Sequence, residues 1–133
     1  MHQIDNTHST KRRVLGTLSL NTANKAKRLQ KRGKGHVAAR SWLRRTSPTI
    51  RRCSLLGVGF LKEALAAKPD YLSNKAVRKY LRMYTRHHHY LIKTARGIAK
   101  RYDLDGNAIG IVTEHESSWA KEQLSQIYEE YKK

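Results

Sequence analysis

Nine cations stand between Ser73 and Arg101, namely Lys75, Arg78, Lys79, Arg82, Arg86, Lys93, Arg96, Lys100 and Arg101, and no carboxylate interrupts them. Positive charge without neighbouring acids makes a surface for a polyanion. Whether it is a binding face or a solvated tail depends on whether the charges keep a structural period. Here they do. On a helix capped by Ser73, Val77, Leu81, Tyr84, His88 and Leu91 share one stripe, while Lys75, Arg78, Lys79, Arg82, Arg86 and Lys93 share the opposite one. The first stripe is expected to pack and the second to grip phosphates.

Other chemistry finds less support. His87, His88 and His89 are consecutive, and consecutive helical residues point about 100° apart, whereas helical metal ligands need a spacing of three or four. No metal is therefore expected. His88 is read as buried and neutral, and His89 as lying on the binding face, where protonation adds charge. Cys53 is the only cysteine, which excludes an internal disulfide, a zinc ribbon and a dithiol motif, and it is read as a small buried apolar residue. Gly57 and Gly59 lack the third glycine and the Lys-Ser/Thr of a phosphate loop. No Ser/His/Asp or paired-carboxylate arrangement is suggested, so neither an enzyme nor a cofactor is expected. The rival catalytic reading is a nuclease using His115 with Glu114 or Glu116.

The elements that must position the basic stripe follow from the rest of the chain. Its 28 Lys and Arg against 10 Asp and Glu leave +18 on 133 residues, a charge that opposes compaction unless a partner neutralises it. Nucleic acid is the expected partner, and no membrane-spanning run is present. Met1 to Asn6 has neither the basic flank nor the apolar run of a signal peptide, so a cytoplasmic protein is expected. Residues 1–35 read as a disordered basic arm ending at Gly33 and Gly35, part of which, Ala23 to Arg32, turns helical on a phosphate backbone. Its plain alternative is a solubilising tail. Residues 36–133 read as the folded domain. A short helix around Val37, Ala38, Trp42 and Leu43 precedes Pro48, with Trp42 in the core. Leu55 to Leu61, running on to Leu65, reads as a buried helix whose glycines admit close approach of another backbone. Asp105-Gly106 suits a tight hairpin turn between strands over 98–103 and 108–112. Thr113 and Glu116 form a capping box, and Ala120, Leu124, Ile127 and Tyr131 mark the packed face of a last helix. The fold expected is mostly α with a small β-hairpin.

These residues carry a family resemblance. Ser73-Asn74-Lys75 with Arg78, then Leu81-Arg82-Met83-Tyr84-Thr85, Tyr90-Leu91, and Ala99-Lys100-Arg101-Tyr102-Asp103-Leu104-Asp105-Gly106 resemble the FinO/ProQ family of bacterial RNA chaperones in order, type and spacing. Val112-Thr113-Glu114-His115 and the basic leader resemble its plasmid-type FinO branch. The resemblance spans roughly residues 55–127. It implies one compact domain, probing structured RNA that ends in a single-stranded 3′ tail, as at terminators, small RNAs and mRNA 3′ ends. It also implies stabilisation of small or antisense RNAs and promotion of RNA–RNA pairing in post-transcriptional regulation.

Carried over by position, the resemblance implies that Lys75, Arg78 and Arg82 meet stem phosphates while Thr85, Tyr90 and Arg101 line the pocket for the 3′ end. Arg86, Lys93 and Lys100 extend the basic surface. An A-form duplex offers chiefly phosphates and 2′-hydroxyls, whereas an aromatic ring and a planar guanidinium suit a splayed terminal nucleotide. The stretch from Leu91 to Lys100 is one residue longer than in the family, which leaves Arg101 free to shift relative to Tyr90. A monomer in the bacterial cytoplasm is expected. The rival readings are a helix-turn-helix DNA-binding regulator, whose recognition helix would need more Asn, Gln, Ser or Thr to read base edges, and a basic ribosome-associated protein.

Overall fold

Small residues decide how the first helices meet. The structure, a computed structural model, describes residues 21–132, and residues 21–31 already form a helix, α1. It lays Ala26 into the core at 1% exposure. The Gln30 amide ties it in place, Nε2 donating to the Tyr71 carbonyl (3.0 Å) and Oε1 accepting from the Ser73 N–H (2.8 Å). After a turn at Gly33, α2 (Gly35–Thr46) buries Ala38, Ala39, Trp42 and Leu43. The arm-to-domain boundary expected at Gly33 and Gly35 is thus corrected: α1 belongs to the folded body, because Ala26 and Gln30 have their partners there. The disorder expected of residues 1–20 lies outside the described residues.

Pro48 opens the short α3 (Pro48–Arg51), since a proline at the first helical position gives up only an N–H that has no intrahelical acceptor. Cys53 then reverses the chain at φ 54, its N–H and that of Ser54 returning to the Ile50 and Thr49 carbonyls (3.1 and 2.9 Å). This reversal holds Cys53 at the surface, exposed, which corrects the expectation of a buried thiol.

The segment read as one helix from Leu55 is a strand followed by a helix. Leu55–Leu56 is β1, parallel to β2 (Lys100–Tyr102), which pairs antiparallel with β3 (Ala108–Ile111). Only at Phe60 does α4 (Phe60–Ala67) start, after Gly59 at φ 90. The Gly57 N–H donates to the Tyr102 carbonyl (2.8 Å), a bond that a helix through this point would forbid. The close backbone approach expected at these glycines occurs at Gly57, where a Cβ would stand 3.2 Å from the Tyr102 carbonyl oxygen and against the Ile109 side chain, but not at Gly59, which faces open space. The hairpin is present, but its turn runs from Asp103 to Asn107 instead of closing on Asp105-Gly106 alone. Asp103 N–H donates to the Asn107 carbonyl (2.9 Å), and Asp103 Oδ1 accepts from the Asp105 and Asn107 N–H groups (3.0 and 2.8 Å). The longer loop lets Leu104 enter the core at 8% exposure.

Ser73 caps α5 (Asn74–Arg86), its Oγ accepting from the Ala76 N–H (3.0 Å). The single helix expected to carry both stripes as far as Leu91 and Lys93 is broken at His87, whose backbone is extended (φ −64, ψ 142) and whose Nδ1 accepts from the His89 N–H (3.3 Å) to cap α6 (His88–Ala95). Val77, Leu81 and Leu91 are buried as their stripe predicts. His88 is exposed and not buried, because the break turns it off that stripe. The capping box closes α7 (Glu114–Lys132): Thr113 N–H donates to Glu116 Oε1 (2.9 Å) and Glu116 N–H donates to Thr113 Oγ1 (3.2 Å). α7 packs on α6, burying Ala120, with Leu124 and Ile127 half-buried. Tyr131 is 84% exposed, so the packed face ends a turn before its spacing predicts. No helix among the described residues is long and apolar enough to cross a membrane.

Candidate nucleic-acid interface

Arg78, Arg82 and Thr85 recur at helical spacing and so share one edge of α5. With the 56–61 segment, Tyr90 of α6, Arg101 of β2 and Glu116 of α7, they line an open cleft of about 500 Å³. Five of the residues expected in the interface therefore converge: Arg78, Arg82, Thr85, Tyr90 and Arg101. The N-terminus of α4 opens into the same cleft without a side-chain cap on its first N–H groups, an arrangement that favours an anion.

Arg101 organises the cleft. Its side chain is 13% exposed, Nη1 donates to the Leu56 carbonyl (2.8 Å) and the Tyr90 hydroxyl (3.3 Å), and Nη2 forms an ion pair with Glu116 Oε2 (2.7 Å). The Tyr90 hydroxyl also accepts from the Leu56 N–H (3.1 Å), so its own proton is left for an acceptor in the cleft. Arg101 Nε is buried with no partner among the described residues. Glu116 has its carboxyl held below the ordinary glutamate range, first by the Thr113 N–H and then by the Arg101 guanidinium, against desolvation that acts the other way. The cleft thus offers a fixed cation, a hydroxyl donor and one carboxylate.

The shift of Arg101 away from Tyr90 that the longer 91–100 stretch allowed does not occur. Arg101 stands 3.3 Å from the Tyr90 hydroxyl, reached from α6 through Gly97 (φ 70) and Ile98 (φ 56), both in the left-handed region. Its carboxylate partner is Glu116, while the Asp103 carboxylate is taken by its own turn. Glu116 is the cleft residue that sequence reasoning missed. The signal was its capping-box position, which bends a carboxylate back over the helix N-terminus and leaves one oxygen for a second partner.

The remaining cations distribute differently. Lys75 and Arg86 are exposed on α5 outside the cleft lining, and Lys100 is exposed at the start of β2. Lys93 leaves the α5 stripe altogether because the helix breaks before it: Nζ donates to the Cys53 carbonyl (2.6 Å) beside a second cavity of about 580 Å³. That cavity lies against the Tyr80 side of α5. Burial pushes the Tyr80 phenol up, against the pull of Arg40 and Arg44 beside it. Burial also pushes up Tyr84, whose hydroxyl donates to the Ser54 carbonyl (2.6 Å) and whose ring meets the edge of Tyr90 at 5.6 Å. The three histidine rings do cluster, with centroids 4.3 to 5.0 Å apart, because His87 is not helical; their planes are 19° to 33° apart, so they stack instead of pointing at one centre. No group of three or more His, Cys, Asp or Glu among the described residues is placed to hold a metal ion.

Fold and cleft together define a mostly helical domain with a small mixed sheet and a basic, hydroxyl-bearing groove along its fifth helix. Residues 47–133 match the ProQ/FINO family, and the chain belongs to that family. Among solved structures it is similar to NMB1681 from Neisseria meningitidis MC58, a FinO-like RNA chaperone, with a TM-score of 0.68 and 22% identity over 86% of this chain and 92% of that one. At that identity the likeness concerns the fold. No curated protein matches the sequence.

Proposed function

We propose that this protein is an RNA chaperone that binds stem-loops ending in a single-stranded 3′ tail, stabilising small or antisense RNAs and promoting their pairing with targets. The observation that carries the reading is the convergence of Arg78, Arg82, Thr85, Tyr90 and Arg101 in one cleft of a ProQ/FINO domain. Lys75 and Arg86 continue the basic stripe beyond the cleft, as a stem leading into it requires. A duplex stem is gripped through its phosphates, while the Tyr90 hydroxyl, Arg101 and the α4 N-terminus receive the ribose and phosphate of the terminal nucleotide. The protein performs no chemistry on the RNA, needs no cofactor or metal, and acts as a monomer in the bacterial cytoplasm. The Val112-Thr113-Glu114-His115 segment and the basic leader support its placement in the FinO branch.

The test measures affinity at fixed salt for a terminator-like hairpin with a short uridine 3′ tail. The comparisons are the same hairpin without its tail, the same hairpin with its 3′ end blocked, and duplex DNA of equal charge. Preference for the free tail is expected. Equal affinity for all four would reduce the protein to a basic phosphate binder and overturn the 3′-end pocket.

A further inference from the structure

The cavity on the Tyr80 side of α5 has features that packing alone does not explain. Arg40 and Arg44, one turn apart on α2, face it together with Arg51 of α3 and Lys93 of α6, and no carboxylate lines it. The chain has no acid at all from residue 6 to residue 62, so α1, α2 and α3 bring only positive charge to this side. None of these four cations has an ion-pair partner among the described residues. Between them lie flat and soft side chains: Tyr80, Met83, which is 50% exposed, and the rings of His87 and His89. An exposed Met beside unpaired cations adds nothing to the core. Arg40 and Arg44 also stand outside residues 47–133, the part that matches the family.

A ligand that uses all of this carries both phosphates and flat apolar faces. Unpaired nucleic acid fits, since every base can stack on an aromatic or thioether surface while its backbone meets arginines. A duplex fits less well, because its bases are stacked on one another and would leave Tyr80, Met83 and the histidines unused. We infer that this cavity is a second RNA site, which takes an unpaired strand with its bases against Tyr80, Met83 and His89 and its phosphates on Arg40, Arg44, Arg51 and Lys93. The inference rests on the RNA-chaperone reading and extends it. Tyr90 alone lines both cavities, so a stem-loop in the cleft and a strand in the cavity lie on either side of one helix, about 10 Å across. Holding two RNAs that close is the requirement for promoting their pairing.

The test uses the full chain, first saturated with the tailed hairpin and then titrated with a fluorescent octanucleotide whose 3′ end is phosphate-blocked. A ternary complex is expected. R40A/R44A should weaken the octanucleotide by about tenfold or more and leave the hairpin affinity within about twofold. K62A/K68A, which removes two charges outside both cavities, should do neither. As a second readout, the octanucleotide should slow iodoacetamide alkylation of Cys53, which lines the cavity, whereas the hairpin alone should not. Several results would overturn the site: no octanucleotide binding, its displacement by the hairpin, equal weakening by K62A/K68A, or equal competition from blunt duplex RNA or an acidic peptide. Loss of the free-tail preference in the unmodified protein would strike the 3′-end reading alone, because the blocked octanucleotide is scored separately.

Discussion

The two cavities that flank α5 are built in opposite ways. In the cleft, Arg101 is bound to Leu56, Tyr90 and Glu116, so a carboxylate and a hydroxyl fix the cation that faces the ligand. In the second cavity, Arg40 and Arg44 are exposed on α2 with no carboxylate nearby to hold them. The first arrangement is preorganised and suits discrimination of one terminal group. The second leaves Arg40 and Arg44 without a carboxylate until a ligand neutralises them, which suits a strand of any sequence. Changes in the cleft should therefore affect stability and specificity together, whereas changes in the cavity should affect binding alone.

The largest effect should come from Tyr90→Ala, which removes a ring packed on Tyr84 as well as the hydroxyl bridge. A loss of about 3 kcal/mol in urea unfolding is expected, together with loss of the free-tail preference. Tyr90→Phe keeps the ring and should cost about 1 kcal/mol while still weakening that preference. Met83→Ala, its counterpart in the cavity, should leave the unfolding midpoint nearly unmoved, and an equal loss would collapse the distinction. Gly57→Ala brings a methyl group against Ile109 and should cost about 1 to 2 kcal/mol, largely recovered in G57A/I109A.

Glu116→Gln keeps the capping acceptor but removes the charge paired with Arg101, and should cost up to about 1 kcal/mol at neutral pH. Because the folded state holds this carboxyl below the unfolded glutamate range, its contribution is complete above that range and disappears as pH falls through the folded value. The variant should accordingly approach the parent protein in acid. A constant gap down to pH 3 would contradict the assignment. Arg82→Ala should flatten the salt dependence of hairpin binding by about one unit, whereas Lys93→Ala, across α5, should leave that slope alone. His88→Ala should change stability by less than about 0.5 kcal/mol, since the exposed ring is off the packed stripe.

Local signals read true at the expected helix caps. Ser73 and Thr113 cap the helices they were expected to cap, because capping depends on residues three apart. Trp42, Val77 and Leu81 pack as their spacing required. One error concerns a partner distant in sequence and another a local break. Leu55 and Leu56 are apolar enough for either a buried helix or a buried strand, and only the presence of Lys100–Tyr102 alongside selects the strand. His87 breaks a stripe that periodicity ran straight through, which sent His88 outward and moved Lys93 to the other side.

The amino-acid sequence by itself determined the basic face of α5, the caps, the hairpin and the family, since these depend on residue type and short spacing. Only the tertiary structure decided which cations share a cavity. A bend of one residue at His87 and the parallel pairing of Leu55 with Arg101 and Leu56 with Tyr102 set those distances, and that pairing is encoded in no local window of the chain. The same folding put Glu116 beside Arg101 and left Arg40 and Arg44 without a carboxylate, giving one helix two faces of different chemistry.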